Sequence, residues 1–123
     1  MARTGWHIIR DATALTLARR LPVRFDLCER ACLSAAPGVS RSRLAHQVRQ
    51  DIWRALQHIR GYSPIVRISQ TAPPDEAVLI EAGGQLAAIR GAGGATALLR
   101  GVLDDPANRR RWLAHASRSG QGS

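Results

Sequence analysis

Two groups of arginines in this sequence each stand beside a tryptophan. The first group lies between positions 41 and 60, and the second between positions 109 and 112. A guanidinium group neutralises a phosphate and an indole ring stacks on a base, so this pairing of residue types is typical of nucleic-acid contacts. The residues predicted to make such contacts are Arg41, Arg43, Arg49, Trp53, Arg60, Arg109, Arg110 and Arg111.

The segment from Arg41 to Arg60 is predicted to be a helix that carries the first group. Apolar residues recur at helical spacing in one stripe: Leu44, Val48, Ile52, Ala55, Leu56 and Ile59. Trp53 falls outside this stripe, with Arg49 and Arg60 beside it. Two interpretations of Trp53 stay open. Its ring either stacks on a base at the surface or folds over the edge of the stripe against another element.

Both groups place cations at the start of a predicted helix. Arg41 and Arg43 fall in the first turn of one helix, and Arg109 to Arg111 fall near the start of the last. Positive charge there opposes the helix dipole, which indicates a surface suited to an anion. For Trp112, a surface position beside the arginines and a buried position in the core are both compatible with the pattern.

The charge balance indicates that the binding partner is negatively charged. The chain has 18 arginines, no lysine and 9 acidic residues, which gives a net charge of +9 and a pI near 11.6. GC-rich coding explains arginine in place of lysine, but it does not explain the surplus of charge. We therefore expect binding to DNA or RNA that is driven mainly by phosphate contacts and is sensitive to salt. No motif for reading a base sequence is present.

No catalytic or cofactor signature stands out. The carboxylates are scattered, and Gly91 to Gly94 lacks the Gly-Lys-Ser/Thr ending of a phosphate-binding loop. Cys28 and Cys32 are spaced more widely than the commonest zinc-binding pair, and no second pair follows. The sequence thus predicts a protein that is not an enzyme and has no cofactor or metal site.

The cysteines and the N-terminus predict a cytoplasmic protein. Two cysteines are too few for a disulfide framework, and on a strand Cys28 and Cys32 would lie too far apart to be joined. Asp11 and other polar residues interrupt any secretory segment. No run of eighteen apolar residues predicts a membrane span.

The remaining periodicities predict an α+β fold in the order α-β-α-β-β-β-α-α. Leu21-Pro22 ends a first helix, Gly83-Gly84 joins two strands as a hairpin, and Asp105-Pro106 begins the last helix. For residues 23–33 a helix from Asp26 competes with the strand. The predicted helices are 6–20, 41–60, 95–103 and 106–117, and the predicted strands are 23–33, 64–69, 77–82 and 85–90.

We expect these elements to form one domain over residues 1–117, followed by a flexible tail over 118–123. About four mostly antiparallel strands would pack against helices. An alternative function is a structural or adaptor subunit of a larger assembly, with its basic face docked on an acidic protein. The strand from Val23 to Leu33 would then offer a sheet edge for pairing. The oligomeric state does not follow from the sequence.

Overall fold

The computed structural model describes residues 5–34, 39–70, 77–87 and 93–122. Within these ranges the chain forms five strands and three helices. They are β1 (His7–Arg10), β2 (Ala14–Ala18), β3 (Leu27–Ser34), α1 (Arg41–Leu56), β4 (Ser63–Gln70), β5 (Ala77–Gln85), α2 (Ala95–Asp104) and α3 (Pro106–Gly122).

The five strands form one antiparallel sheet in the order β1-β2-β4-β5-β3. The predicted α+β class is therefore confirmed, with one strand more than expected. The order along the described chain is β-β-β-α-β-β-α-α. It differs from the predicted order because two strands replace the first predicted helix, and because one strand runs through Gly83-Gly84 where two were predicted.

One helical layer covers one face of the sheet. α1 packs against β2, β4 and β5, α2 packs against β3, and α3 packs against the other two helices. By register, Leu17, Val66 and Ala82 stand side by side on the covered face, as do Leu15, Ile68 and Ile80. They join the buried stripe of α1 in a single apolar core. Burial of this surface is the main force that holds the helices on the sheet.

The prediction of a helix over residues 6–20 is wrong. This segment is a hairpin in which β1 pairs with β2. Its turn is held by Asp11, whose carboxylate accepts hydrogen bonds from the backbone N–H groups of Thr13 and Ala14, both at 2.9 Å. Leu15 and Leu17 alternate into the core as strand residues do, and the pairing of β2 with β4 outweighs the apparent helical spacing.

The predicted hairpin at Gly83-Gly84 is also wrong. β5 continues through both glycines to Gln85. A Cβ atom on Gly83 would overlap the carbonyl group of Leu27 on the neighbouring strand β3. Glycine is present because two backbones approach closely here, and not because the chain turns. Most of the strand predicted over 85–90 lies outside the described residues.

The remaining helices and strands begin and end closer to the residues predicted from the sequence. Residues 27–34 form a strand, so the competing helix is excluded, although the strand begins later than Val23. Ser40 caps α1, and its Oγ accepts from the N–H of Arg43 at 3.3 Å. α1 ends at Leu56, earlier than predicted. Asp105 caps α3 through the N–H of Ala107 at 2.9 Å, and α3 continues beyond Ser117 to Gly122.

The two edges of the sheet differ. β3 lies at one edge, as expected for an exposed strand, but a side chain from α2 reaches it. Arg100 donates from Nη1 to the carbonyl of Arg30 at 2.8 Å and also contacts Glu29 and Asp104. β1 forms the opposite edge, and all four of its residues are exposed, including Ile8 and Ile9.

Candidate arginine-aromatic pocket

A concave site lies where the N-terminal hairpin meets the second half of α1 and the start of β4. Its volume is about 610 Å³, within the range of sites that bind small ligands. Among the described residues that line it, three are arginines, three are aromatic and none is acidic. We call this site the arginine-aromatic pocket; it is lined by Gly5, Trp6, Arg19, Arg20, Arg49, Trp53, Tyr62, Ser63 and Pro64.

Trp6 organises two of the pocket's cations. The register of the hairpin pairs His7 with Ala18, so Trp6 and Arg19 are adjacent at the end of the hairpin. The Cζ atom of Arg19 lies 5.4 Å from the centroid of the Trp6 ring, and that of Arg49 lies 4.9 Å from it. Both distances are within the range of cation–π attraction. One indole ring thus holds two guanidinium groups near each other.

Arg49 is held in a position that favours an anion. Its Nε is buried and has no hydrogen-bond partner among the described residues. Burial lowers the pKa of Arg49 from its ordinary value, and the positive charge of Arg19 lowers it further. Arginine nevertheless stays charged in proteins. A bound anion would therefore relieve both the repulsion and the lost hydration.

Trp53 and Tyr62 form the second aromatic part of the pocket. Their ring centroids are 6.1 Å apart and the ring planes differ by 9°. Tyr62 is fixed because its hydroxyl donates to the carbonyl of Gly83 at 2.8 Å, and burial raises its pKa. Trp53 remains 38% exposed. Trp53 thus lies at the surface and also packs against a residue outside α1, Tyr62. Its stacking on a base stays a prediction.

Two of the eight predicted contact residues, Arg49 and Trp53, line the pocket. They are four residues apart on α1 and so share one face of the helix. Arg41 precedes Arg49 by eight residues, about 12 Å along the helix axis, and Arg43 is exposed in the first turn. Arg60 is exposed in the turn that follows α1.

Two of the three predicted C-terminal arginines are engaged within the protein. Arg109 donates from Nε to the carbonyl of Leu103 at 2.5 Å and pairs with Asp104 at 3.3 Å. Arg111 pairs with Asp51 of α1 at 2.7 Å, whereas Arg110 is exposed. Trp112 is fully buried, so its core position is the correct one of the two alternatives.

Four residues that line the pocket were not predicted from the sequence: Trp6, Arg19, Arg20 and Tyr62. The first three lie on the segment interpreted as a helix, which would have separated Trp6 from Arg19 by more than three turns. The signal that reveals them is the alternation of Leu15 and Leu17 after Asp11, which indicates a strand returning from a turn. Once the hairpin is recognised, Trp6 and Arg19 are neighbours.

Searches for a metal site, a membrane span and relatives complete the description of the chain. In these ranges no three His, Cys, Asp or Glu side chains are grouped closely enough to hold a metal ion. None of the described helices has the length and apolar composition needed to cross a membrane. No family model, curated protein or solved structure matches this chain. The functional conclusion therefore depends on the pocket and the charge.

Proposed function

We propose that this protein binds nucleic acid, mainly through its phosphates, and that it catalyses no reaction. The observation that carries the proposal is the arginine-aromatic pocket, where Arg19, Arg20 and Arg49 surround aromatic rings and no described lining residue is acidic. Phosphate oxygens are acceptors for guanidinium donors, and the bases offer flat surfaces to aromatic rings. The net charge of +9 adds a long-range attraction to any polyanion.

The test is the salt dependence of binding. Fluorescence anisotropy of labelled DNA and RNA oligonucleotides is followed while the protein is titrated at several salt concentrations. If three arginines neutralise three phosphates of a single strand, the affinity falls about 20-fold between 50 and 200 mM salt. An affinity that does not change with salt, or no binding at 20 mM salt, contradicts the proposal.

A second candidate is an adaptor that pairs with another protein, as the strand edges allow. β1 has the exposed apolar residues Ile8 and Ile9 at an open edge of the sheet, where a partner strand adds its own backbone hydrogen bonds. An acidic protein would be the complementary partner for a chain of charge +9. Failure to bind any nucleic acid at low salt would favour this candidate.

We also propose that the protein works in the cytoplasm. In support of this, Cys28 and Cys32 are both free thiols. They lie on the same side of β3, and a reducing compartment keeps such thiols unoxidised. Fractionation of cells that express the tagged full chain, with immunodetection of each fraction, tests the location.

A further inference from the structure

We infer that the arginine-aromatic pocket holds one unpaired nucleotide of a single strand, with its base against Trp53 and the phosphates next to that base among Arg19, Arg20 and Arg49. This inference rests on the proposed function and specifies the ligand of the same site. It predicts a preference for single-stranded over double-stranded nucleic acid that phosphate contacts alone do not give.

The shape of the pocket sets this preference. The rings of Trp6, Trp53 and Tyr62 line a recess and are not spread over a flat surface. In a duplex each base is covered on both faces by its neighbours, so its flat surface cannot enter a recess. A single strand can turn one base out at little expense. The aromatic wall is therefore accessible only to an unpaired base.

The two tryptophans have different roles. Trp6 is flanked by the guanidinium groups of Arg19 and Arg49, so its ring already has charged partners. Trp53 has one aromatic neighbour, Tyr62, and is 38% exposed. Tyr62 is buried and anchored by its hydroxyl, which keeps Trp53 in place. Trp53 is thus the ring that receives the base, and Trp6 positions the arginines.

The three arginines of the pocket are available to the phosphates of the strand. Arg49 has a buried Nε without a partner among the described residues, and Arg19 and Arg20 are exposed at the pocket. The acidic residue of α1 near this face, Asp51, is two positions from Trp53 and so points to the opposite side of the helix. There it pairs with Arg111 of α3. It does not neutralise the pocket.

Binding of one oligonucleotide in two forms tests the inference. The probe is a 15-nucleotide strand, used alone and as a blunt duplex of the same sequence, at 150 mM salt. We expect the single strand to bind at least tenfold more tightly than the duplex. Equal affinities would overturn the inference and leave the proposed function standing, whereas no binding of either form at 20 mM salt would overturn both.

Substitution of the stacking ring identifies the site. Trp53→Ala is expected to weaken single-strand binding about 5- to 150-fold, which is the usual contribution of one stacked base, and to leave duplex binding unchanged. Trp53→Phe retains a ring and should retain most of the affinity. Full affinity in a folded Trp53→Ala protein would overturn the inference.

A charge-matched pair keeps the test decisive if Trp53→Ala does not fold. Arg20→Ala removes one exposed arginine from the pocket, and Arg110→Ala removes one exposed arginine from α3. We expect Arg20→Ala to reduce single-strand affinity at least fivefold more than Arg110→Ala does. Equal losses from the two variants would show that the net charge, and not the pocket, determines binding, and would overturn the inference.

Discussion

The indole Nε1 of Trp112 donates a hydrogen bond of 2.6 Å to the carboxylate of Asp51. This contact joins α3 to α1 beneath the surface, and the same carboxylate oxygen also accepts from Arg111 at 2.7 Å. Asp51 is therefore a buried acid with two donors from one neighbouring helix. These two hydrogen bonds show that Arg111 and Trp112 hold α3 against α1.

Replacement of Asp51 is expected to destabilise the protein. Asp51→Ala leaves the buried Nε1 of Trp112 without an acceptor, which costs about 1–3 kcal/mol. Arg111 is 47% exposed and regains water, so a larger loss from a stranded charge is not expected. Asp51→Asn keeps an acceptor and should be milder. Urea denaturation followed by circular dichroism measures both, and an unchanged midpoint in Asp51→Ala would contradict this role.

Two glycine substitutions should act in opposite directions. Gly83→Ala places a Cβ atom against the backbone of Leu27, which cannot move aside as a side chain can, so a loss of at least about 2 kcal/mol is expected. Gly101 lies within α2 and its added Cβ would meet open space. Gly101→Ala should therefore stabilise by about 0.5–1 kcal/mol. A melting temperature that does not fall in Gly83→Ala would contradict the close approach of β3 and β5, and one that falls in Gly101→Ala would contradict the open space beside α2.

Stability should fall as the pH drops from 7.5 to 5. Burial and the positive charge of Arg49 lower the pKa of His46 below its ordinary value of 6.5. The unfolded chain therefore takes up a proton on this residue at a higher pH than the folded chain does, and the free energy of unfolding decreases as the pH falls through this window. His46→Gln should reduce that slope in urea titrations at each pH. His58→Gln, at an exposed turn position, is the control, and the prediction fails if both variants keep the wild-type slope.

The salt dependence of nucleic-acid binding can show whether the pocket or the helical surfaces predicted from the sequence make the phosphate contacts. Arg19→Ala with Arg20→Ala removes two pocket charges, and Arg43→Ala with Arg110→Ala removes two exposed charges outside it. Each lost phosphate contact reduces the slope of log affinity against log salt by about 0.7 on a single strand. The pocket variant should therefore show the flatter slope. A flatter slope in the other variant would favour the surfaces predicted from the sequence.

Elements that carry their own local signals were predictable from the sequence. The stripe through Leu44, Val48 and Ile52 repeats over four turns, and Ser40 and Asp105 are cap residues placed where helices begin. The hairpin predicted at Gly83-Gly84 was wrong because two glycines are compatible both with a turn and with a close approach between strands. Only the neighbouring backbone of β3 decides between these roles, and it lies more than fifty residues away in the chain.

The candidate site was only half predictable. Arg49 and Trp53 are visible because one helix presents both on one face. Trp6 depends on the register of a hairpin, and its contact with Arg49 spans more than forty residues. The sequence pattern also cannot show that Arg109 and Arg111 form hydrogen bonds within the protein. Their acceptors are a carbonyl on α2 and a carboxylate on α1, which are distant from the pattern that suggests a binding surface.

The bond from Arg100 to the carbonyl of Arg30 has a consequence for growth of the sheet beyond one molecule. The guanidinium group occupies an acceptor that an incoming strand on that side would need, while the far side at β1 stays open. Pairing through β1 therefore meets less competition than pairing through β3. Backbone pairing between two copies of this chain would favour a closed pair joined at β1 over a fibre that needs both edges.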